Sequence, residues 1–196
     1  MNRNKKSNTL KTICLFSFVA FAFMGFRYKQ NNMKAFQKKV GEYSKKFDAD
    51  YDFSDASVKY QAMFDLMKPA DWVVTMTLKT KKASQSNNSK PFHKRLFFCF
   101  YYYNDSAKTA FALDSVQKCL PPDCINISKL KAGQVLSGIP SVYIFNRHSI
   151  VTCHVDCGEV PDNWAELKKD LIKTFAETHS VSLTAECEGS LKWIKK

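Results

Sequence analysis

The sequence predicts an α/β domain behind a short apolar segment at the N-terminus, and three observations predict it. Apolar residues make up 45% of the 196-residue chain and aromatic residues 14%, enough for a core and too many for global disorder. From about residue 54 onward, runs rich in β-branched and aromatic residues alternate with stretches of helical periodicity. The net charge of +12 is concentrated in the N-terminal quarter. Residues 1–46 hold eleven Lys and Arg against the single acid Glu42, a balance of +10, which leaves +2 for the remainder. The folded part is therefore near neutral, and no nucleic-acid partner is expected of it.

Residues 13–26 form the apolar segment, Ile-Cys-Leu-Phe-Ser-Phe-Val-Ala-Phe-Ala-Phe-Met-Gly-Phe. A helix of that length rises about 21 Å, short of a bilayer core of about 30 Å. Counting Thr12 and Tyr28 and letting flanking lysines snorkel brings it closer to a span. A basic stretch (Arg3, Lys5, Lys6, Lys11), the apolar run and Ala20-x-Ala22 also fit a cleavable signal peptide. Apolar Phe23 to Phe26 directly after such a cut favour retention as an anchor. Residues 12–28 are thus expected to hold the chain at a membrane as an N-terminal hydrophobic helix. The domain is placed outside the cytoplasm, periplasmic or extracellular, because N-terminal segments of this kind act as export signals. Bases lie on both sides of the segment, so the positive-inside rule does not orient it. The expected organisation is a basic anchor or signal segment over 1–29, a lysine-rich stalk over 30–53, and the domain over 54–196.

Within the domain, Ser54 or Asp55 can cap a helix over 55–67, with Val58, Ala62 and Leu66 repeating along one face. Residues 72–78 read as a strand whose Trp72, Val74, Met76 and Leu78 point one way. Residues 79–92 have no periodicity and read as a loop. Residues 96–103, Leu-Phe-Phe-Cys-Phe-Tyr-Tyr-Tyr, are apolar and aromatic without alternation. That pattern predicts a central strand covered on both faces, and not a base-stacking surface on a near-neutral domain. Asp105 and Ser106 offer caps for a helix over 106–119, closed by Pro121 and Pro122. A short strand over 124–128 and a short helix over 130–136 follow. Residues 142–145 and 150–155 are strands joined by a turn at 146–148. Asp162 caps a long helix whose core face is Trp164, Leu167, Leu171 and Phe175. The tail from Val181 to Ile194 forms a hairpin turning at Glu188 and Gly189.

Seven cysteines are the main candidates for chemistry. Cys14 lies in the apolar segment, and the other six permit fifteen pairings among which the sequence does not choose. Cys119 and Cys124 bracket Leu-Pro-Pro-Asp at a helix end, where the dipole raises a thiol pKa, and suit a loop clip better than catalysis. Cys153 and Cys157 flank His154. On a strand these two thiols share a face while His154 points away, so no metal site is expected there. No nucleotide-binding or hydrolytic motif stands out, and no cofactor is expected.

From about residue 95 to 176 the order of strand, helix, strand, short helix, Gly-Ile-Pro, strand, turn, strand and long helix resembles the thioredoxin fold. The most specific match is Ser137-Gly138-Ile139-Pro140-Ser141 running into Val142-Tyr143-Ile144-Phe145. The resemblance implies a thioredoxin-like sheet flanked by helices, a cis-proline at Pro140, and polypeptide binding beside Ile139, Pro140 and Ser141. It places the 142–145 strand next to the 96–103 strand, with Pro140 against the start of the 106–119 helix. The Cys-x-x-Cys of that family belongs at this helix start, where Asn104-Asp105-Ser106-Ala107 holds no cysteine. The expectation is a membrane-tethered, polypeptide-binding or accessory module with an unidentified protein partner. Two other classes stand beside it. One is a thiol–disulfide oxidoreductase using Cys153/Cys157 or Cys119/Cys124; the other is a structural single-anchor subunit of an envelope complex.

Overall fold

The computed structural model describes residues 31–54, 70–84, 91–119, 126, 129, 139–187, 189 and 191–195. Among these, seven strands form one sheet: β1 (Tyr51–Ser54), β2 (Trp72–Thr80), β3 (Arg95–Tyr102), β4 (Ser141–Phe145), β5 (Ser149–His154), β6 (Val181–Ala185) and β7 (Lys192–Lys195). Their order is β1-β2-β3-β5-β4-β6-β7, with every neighbouring pair antiparallel. The described helices are α1 over 31–44, α2 (Ser106–Lys118) and α3 (Trp164–Phe175). The chain divides into two compact units, Met1–Glu42 and Tyr43–Lys196. The sheet belongs to the second.

β3 explains why an unalternating aromatic run is stable in water. All its residues after Arg95 are buried, and both of its edges are paired. Phe98 and Phe100 point to one face, where Phe100 lies 5.4 Å from the Phe175 ring of α3. Tyr43 and Phe47 pack on that same face, with ring centroids 6.4 and 5.4 Å from Phe98. Phe97, Cys99 and Tyr101 point to the other face and cluster with Ala112 and Val116 of α2, Tyr143 and Phe145 of β4, and Leu183 of β6. The sheet is therefore covered on both sides, which is what the sequence of β3 requires. Asp105 caps α2 as expected, its Oδ1 accepting the Ala107 N–H at 2.9 Å. The buried stripe of α3 is Trp164, Leu167, Leu171 and Phe175.

Two expectations need correcting. The domain does not start at residue 54. Tyr43 and Phe47 are core residues and β1 is part of the sheet, so the stretch read as stalk supplies structure to the domain. Phe36, Val40, Tyr43 and Phe47 recur at helical spacing, but Lys38, Lys39, Lys45 and Lys46 between them give the segment a polar composition.

The second correction concerns strand order. β4 is not beside β3, as the thioredoxin resemblance implies; β5 lies between them. The 146–148 turn accounts for this. The Tyr103 N–H donates to the His148 carbonyl at 2.7 Å, and His148 Nδ1 lies 3.0 Å from the Tyr103 carbonyl. These bonds fix the turn to the end of β3, so the arm that leaves the turn takes the neighbouring position.

Asn146 secures the same turn from within. Its side-chain N–H groups donate to Ser149 Oγ at 2.9 Å and to the Phe175 carbonyl at 3.0 Å, while its Oδ1 accepts the Glu177 N–H at 3.1 Å. The hairpin turn and the end of α3 are thereby joined by one buried side chain.

The tail hairpin is present as β6 and β7. The helix expected over 55–67, the 124–128 strand and the 130–136 helix fall outside the described residues, apart from Asn126 and Lys129. Among the described residues no helix is long and apolar enough to cross a membrane. The 12–28 segment lies outside them.

Phe100 is fully buried between the sheet and α3, whereas Phe111 on α2 is 63% exposed. Phe100→Ala should therefore cost about 3–5 kcal/mol of unfolding free energy. Phe111→Ala should change it by no more than about 0.5 kcal/mol. Urea unfolding curves of the two variants check the contrast.

Candidate functional site

Cys153 and Cys157, one of the two pairs named from the sequence, are not brought together. β5 ends at His154, so Cys157 leaves the sheet in a one-turn 3-10 helix, Cys157–Glu159, and no longer shares a face with Cys153. Cys157 instead forms a disulfide with Cys187, at a Cα separation of 5.6 Å. Ion pairs hold both ends of this bridge. Arg95 grips Glu159 bidentately, at 3.0 and 2.6 Å. Glu186, beside Cys187, accepts from Trp164 Nε1 at 3.2 Å and pairs with Lys168. Cys119, at the C-terminal cap of α2, is disulfide-bonded. Cys124 lies outside the described residues.

The free cysteines, Cys99 and Cys153, are both buried. Register places Cys99 opposite Thr152 and Cys153 opposite Phe98, so the two thiols project from opposite faces of the sheet. Burial pushes both thiols well above the ordinary thiol range. A thiol that stays protonated is neither nucleophile nor metal ligand. Among the described residues, no group of three His, Cys, Asp or Glu could hold a metal ion.

The peptide-binding position inferred at Ile139, Pro140 and Ser141 is also enclosed. The Pro140 carbonyl accepts the Val155 N–H at 3.0 Å. Ser141 is paired to His154 on one side and to Ala185 on the other, so β4 has no open edge. Ile139 packs against the aromatic cluster beneath α2. The family pattern implied a free backbone here because it places this strand next to a different neighbour; β6 fills the place.

His154 lies in the same interior, its ring edge-on to Tyr143 with centroids 5.1 Å apart. Burial pushes its imidazole down to about 3. The ring is neutral and structural at any physiological pH.

What remains open is at the rim. Among the described residues β1 and β7 are the terminal strands, each paired on one side only. β7 carries exposed Trp193 and Ile194 between Lys192 and Lys195, and lysines on an edge strand commonly guard against pairing. β1 carries Phe53, 49% exposed. At the first residue of β1, Tyr51, a cavity of about 360 Å³ opens, bounded also by Thr80, Lys81, Lys82, Lys94 and Asp162. None of these residues forms a sequence motif. They come from four separate segments, which is why residue patterns did not reveal the cavity. No family model, curated protein or solved structure matches this chain.

Two measurements check the interior. Cys99 and Cys153 should remain unmodified by a thiol-specific aromatic disulfide in the native protein and react once guanidinium unfolds it. His154 is neutral when folded and titrates near 6.5 when unfolded. Its contribution to stability is therefore complete above about pH 6.5 and declines as pH falls from there toward 3, by up to about 1.4 kcal/mol per pH unit. Urea midpoints at pH 7 and 5.5 should drop further for the native sequence than for His154→Phe. Equal drops would place the imidazole in solvent.

Proposed function

We propose that this chain is a membrane-tethered, extracytoplasmic module that binds an extended polypeptide by strand addition and has no thiol chemistry of its own. The observation that carries this is the combination of an inert interior with an open rim. Among the described residues both free thiols are buried, Cys157 and Cys119 are in disulfides, and β1 presents an unpaired edge with the exposed Phe53 beside a cavity. Strand addition uses main-chain hydrogen bonds for affinity and side-chain pockets for specificity, and β1 offers both.

The disulfides fit an oxidising compartment, in keeping with export by the N-terminal segment. The basic flanks and apolar run of residues 12–28 support the tether. The thioredoxin resemblance over 95–176 extends to the succession of strand, helix, hairpin and helix and not to the strand order, so this reading does not include a thioredoxin-like core. The proposed peptide contact does not depend on it, since β4 beside Pro140 is closed on both edges.

Full-length protein should sediment with membranes, and a chain beginning near residue 30 should remain in the supernatant. Neither should reduce insulin at a thioredoxin-like rate. On arrays of extended peptides, the protein should retain a subset of sequences, with retention weakened several-fold by Phe53→Ser and unaffected by Phe111→Ser. Insulin reduction abolished by Cys157→Ser would instead establish an oxidoreductase, and array binding indifferent to Phe53 would remove β1 as the docking edge.

A further inference from the structure

The cavity at the start of β1 contains a cation held in place by the fold and an anion that is not. Lys94 is tied to the end of β2 in both directions. Its backbone N–H donates to Thr80 Oγ1 at 3.1 Å, and its carbonyl accepts the Thr80 N–H at 2.9 Å. The Lys94 side chain is only 18% exposed, and its ammonium lies 2.9 Å from Asp162 Oδ1. Asp162, in contrast, stands fully in solvent. An ion pair with one solvated partner contributes little, because water competes for the carboxylate and the side chain must be ordered. The burial of Lys94 is already part of the folded state, so exchanging Asp162 for another carboxylate replaces like with like.

The rest of the wall suits that exchange. Lys81 donates to the Asp48 carbonyl at 2.6 Å, which fixes its charge at the mouth, and Lys82 adds another. Asp50 is the opposing acid. With Asp162 turned out, three ammonium groups face one carboxylate. The volume of about 360 Å³ falls in the lower part of the range of about 300–1,000 Å³ usual for small-ligand sites.

We propose that this cavity is a carboxylate-binding site in which Lys94 is the anchoring cation and Asp162 occupies the site in cis until a ligand displaces it. This rests on the strand-addition reading above and specifies its partner: an extended polypeptide that presents a carboxylate, from its C-terminus or an acidic side chain, next to β1. Tyr51 belongs to both features, so one bound segment can engage the β1 edge and the cavity together.

The test uses full-length protein in detergent micelles and three fluorescein-labelled forms of Val-Thr-Val-Thr-Val-Ala. One has a free C-terminus, one is amidated, and one is amidated with Glu replacing the final Ala. Fluorescence polarisation should show a carboxylate-bearing form binding about tenfold or more tightly than the plain amide. The preferred form identifies the C-terminal or side-chain source. Asp162→Asn should tighten that binding several-fold by removing the internal competitor, and Lys94→Gln should erase the preference. Asp162 is solvent-exposed, so its variant stays folded even if Lys94→Gln does not. Equal affinity for all three peptides, with Asp162→Asn and Lys94→Gln both silent, overturns the carboxylate site and leaves strand addition standing. A parallel titration with acetate, followed by NMR of the lysine side chains, separates the two ideas. An acetate-dependent shift at Lys94, enhanced in Asp162→Asn, supports the site even if no peptide binds. Its absence overturns the site.

Discussion

The structure depends on one constraint: β3 has no polar face. Its neighbours in sequence could have placed it at a sheet edge or on a half-solvated sheet, but either would expose two or three of Leu96, Phe97, Phe98, Phe100 and Tyr101 to water. Burying a side chain of this kind is worth about 1.5–3 kcal/mol. β3 must therefore have a strand on each edge and a helical layer on each face. Tyr43, Phe47 and α3 supply one layer and α2 contributes to the other. An antiparallel sheet commonly leaves one face to solvent; here both are covered. One layer joins residues 43–47 to α3, far apart in sequence, and the other takes α2 from between them.

The same constraint determines what chemistry is absent from the centre. Cys99, Cys153 and His154 sit on β3 and β5, the two strands at the middle of the sheet, and inherit their burial. A buried thiol is held protonated and a buried imidazole is held neutral, so the residues that look most reactive in the sequence are the least so in the fold. Cys157 and Cys187, at the surface, are joined in a disulfide between elements already held by ion pairs. The β1 backbone and the lysine-lined cavity lie next to each other at the rim of the sheet.

Local periodicity was enough to locate β2 to β7, α2 and α3, because each carries its own repeat of apolar residues; the cap read for α3 at Asp162 is not found, since Asn163 takes that position without a side-chain cap hydrogen bond. Asp105 as the cap of α2 and the four-residue stripe of α3 are local facts of that kind. Three other features were not local. The lysines between Phe36, Val40, Tyr43 and Phe47 dominate the composition of that stretch and hide a stripe only one residue wide. The position of β5 between β3 and β4 is decided by hydrogen bonds between Tyr103 and His148, forty-five residues apart. The Cys157–Cys187 bridge spans thirty residues and becomes possible only because β5 stops at His154. The cavity is non-local in the same sense: Thr80, Lys94 and Asp162 meet only after the sheet and α3 are assembled.

β3 is an interior antiparallel strand with β2 and β5 as neighbours, and among the described residues β1 ends the sheet. Backbone NMR of the isotopically labelled protein tests this most directly, through cross-strand contacts and amide exchange in one sample. The account predicts contacts between Cys99 and Thr152 on one side of β3 and between Cys99 and Thr75 on the other, with slow exchange in β3 and β5 and fast exchange at the outward amides of β1. Backbone pairing of Cys99 with the 141–145 strand in place of Thr152, or protection of every amide from Tyr51 to Ser54, would contradict it.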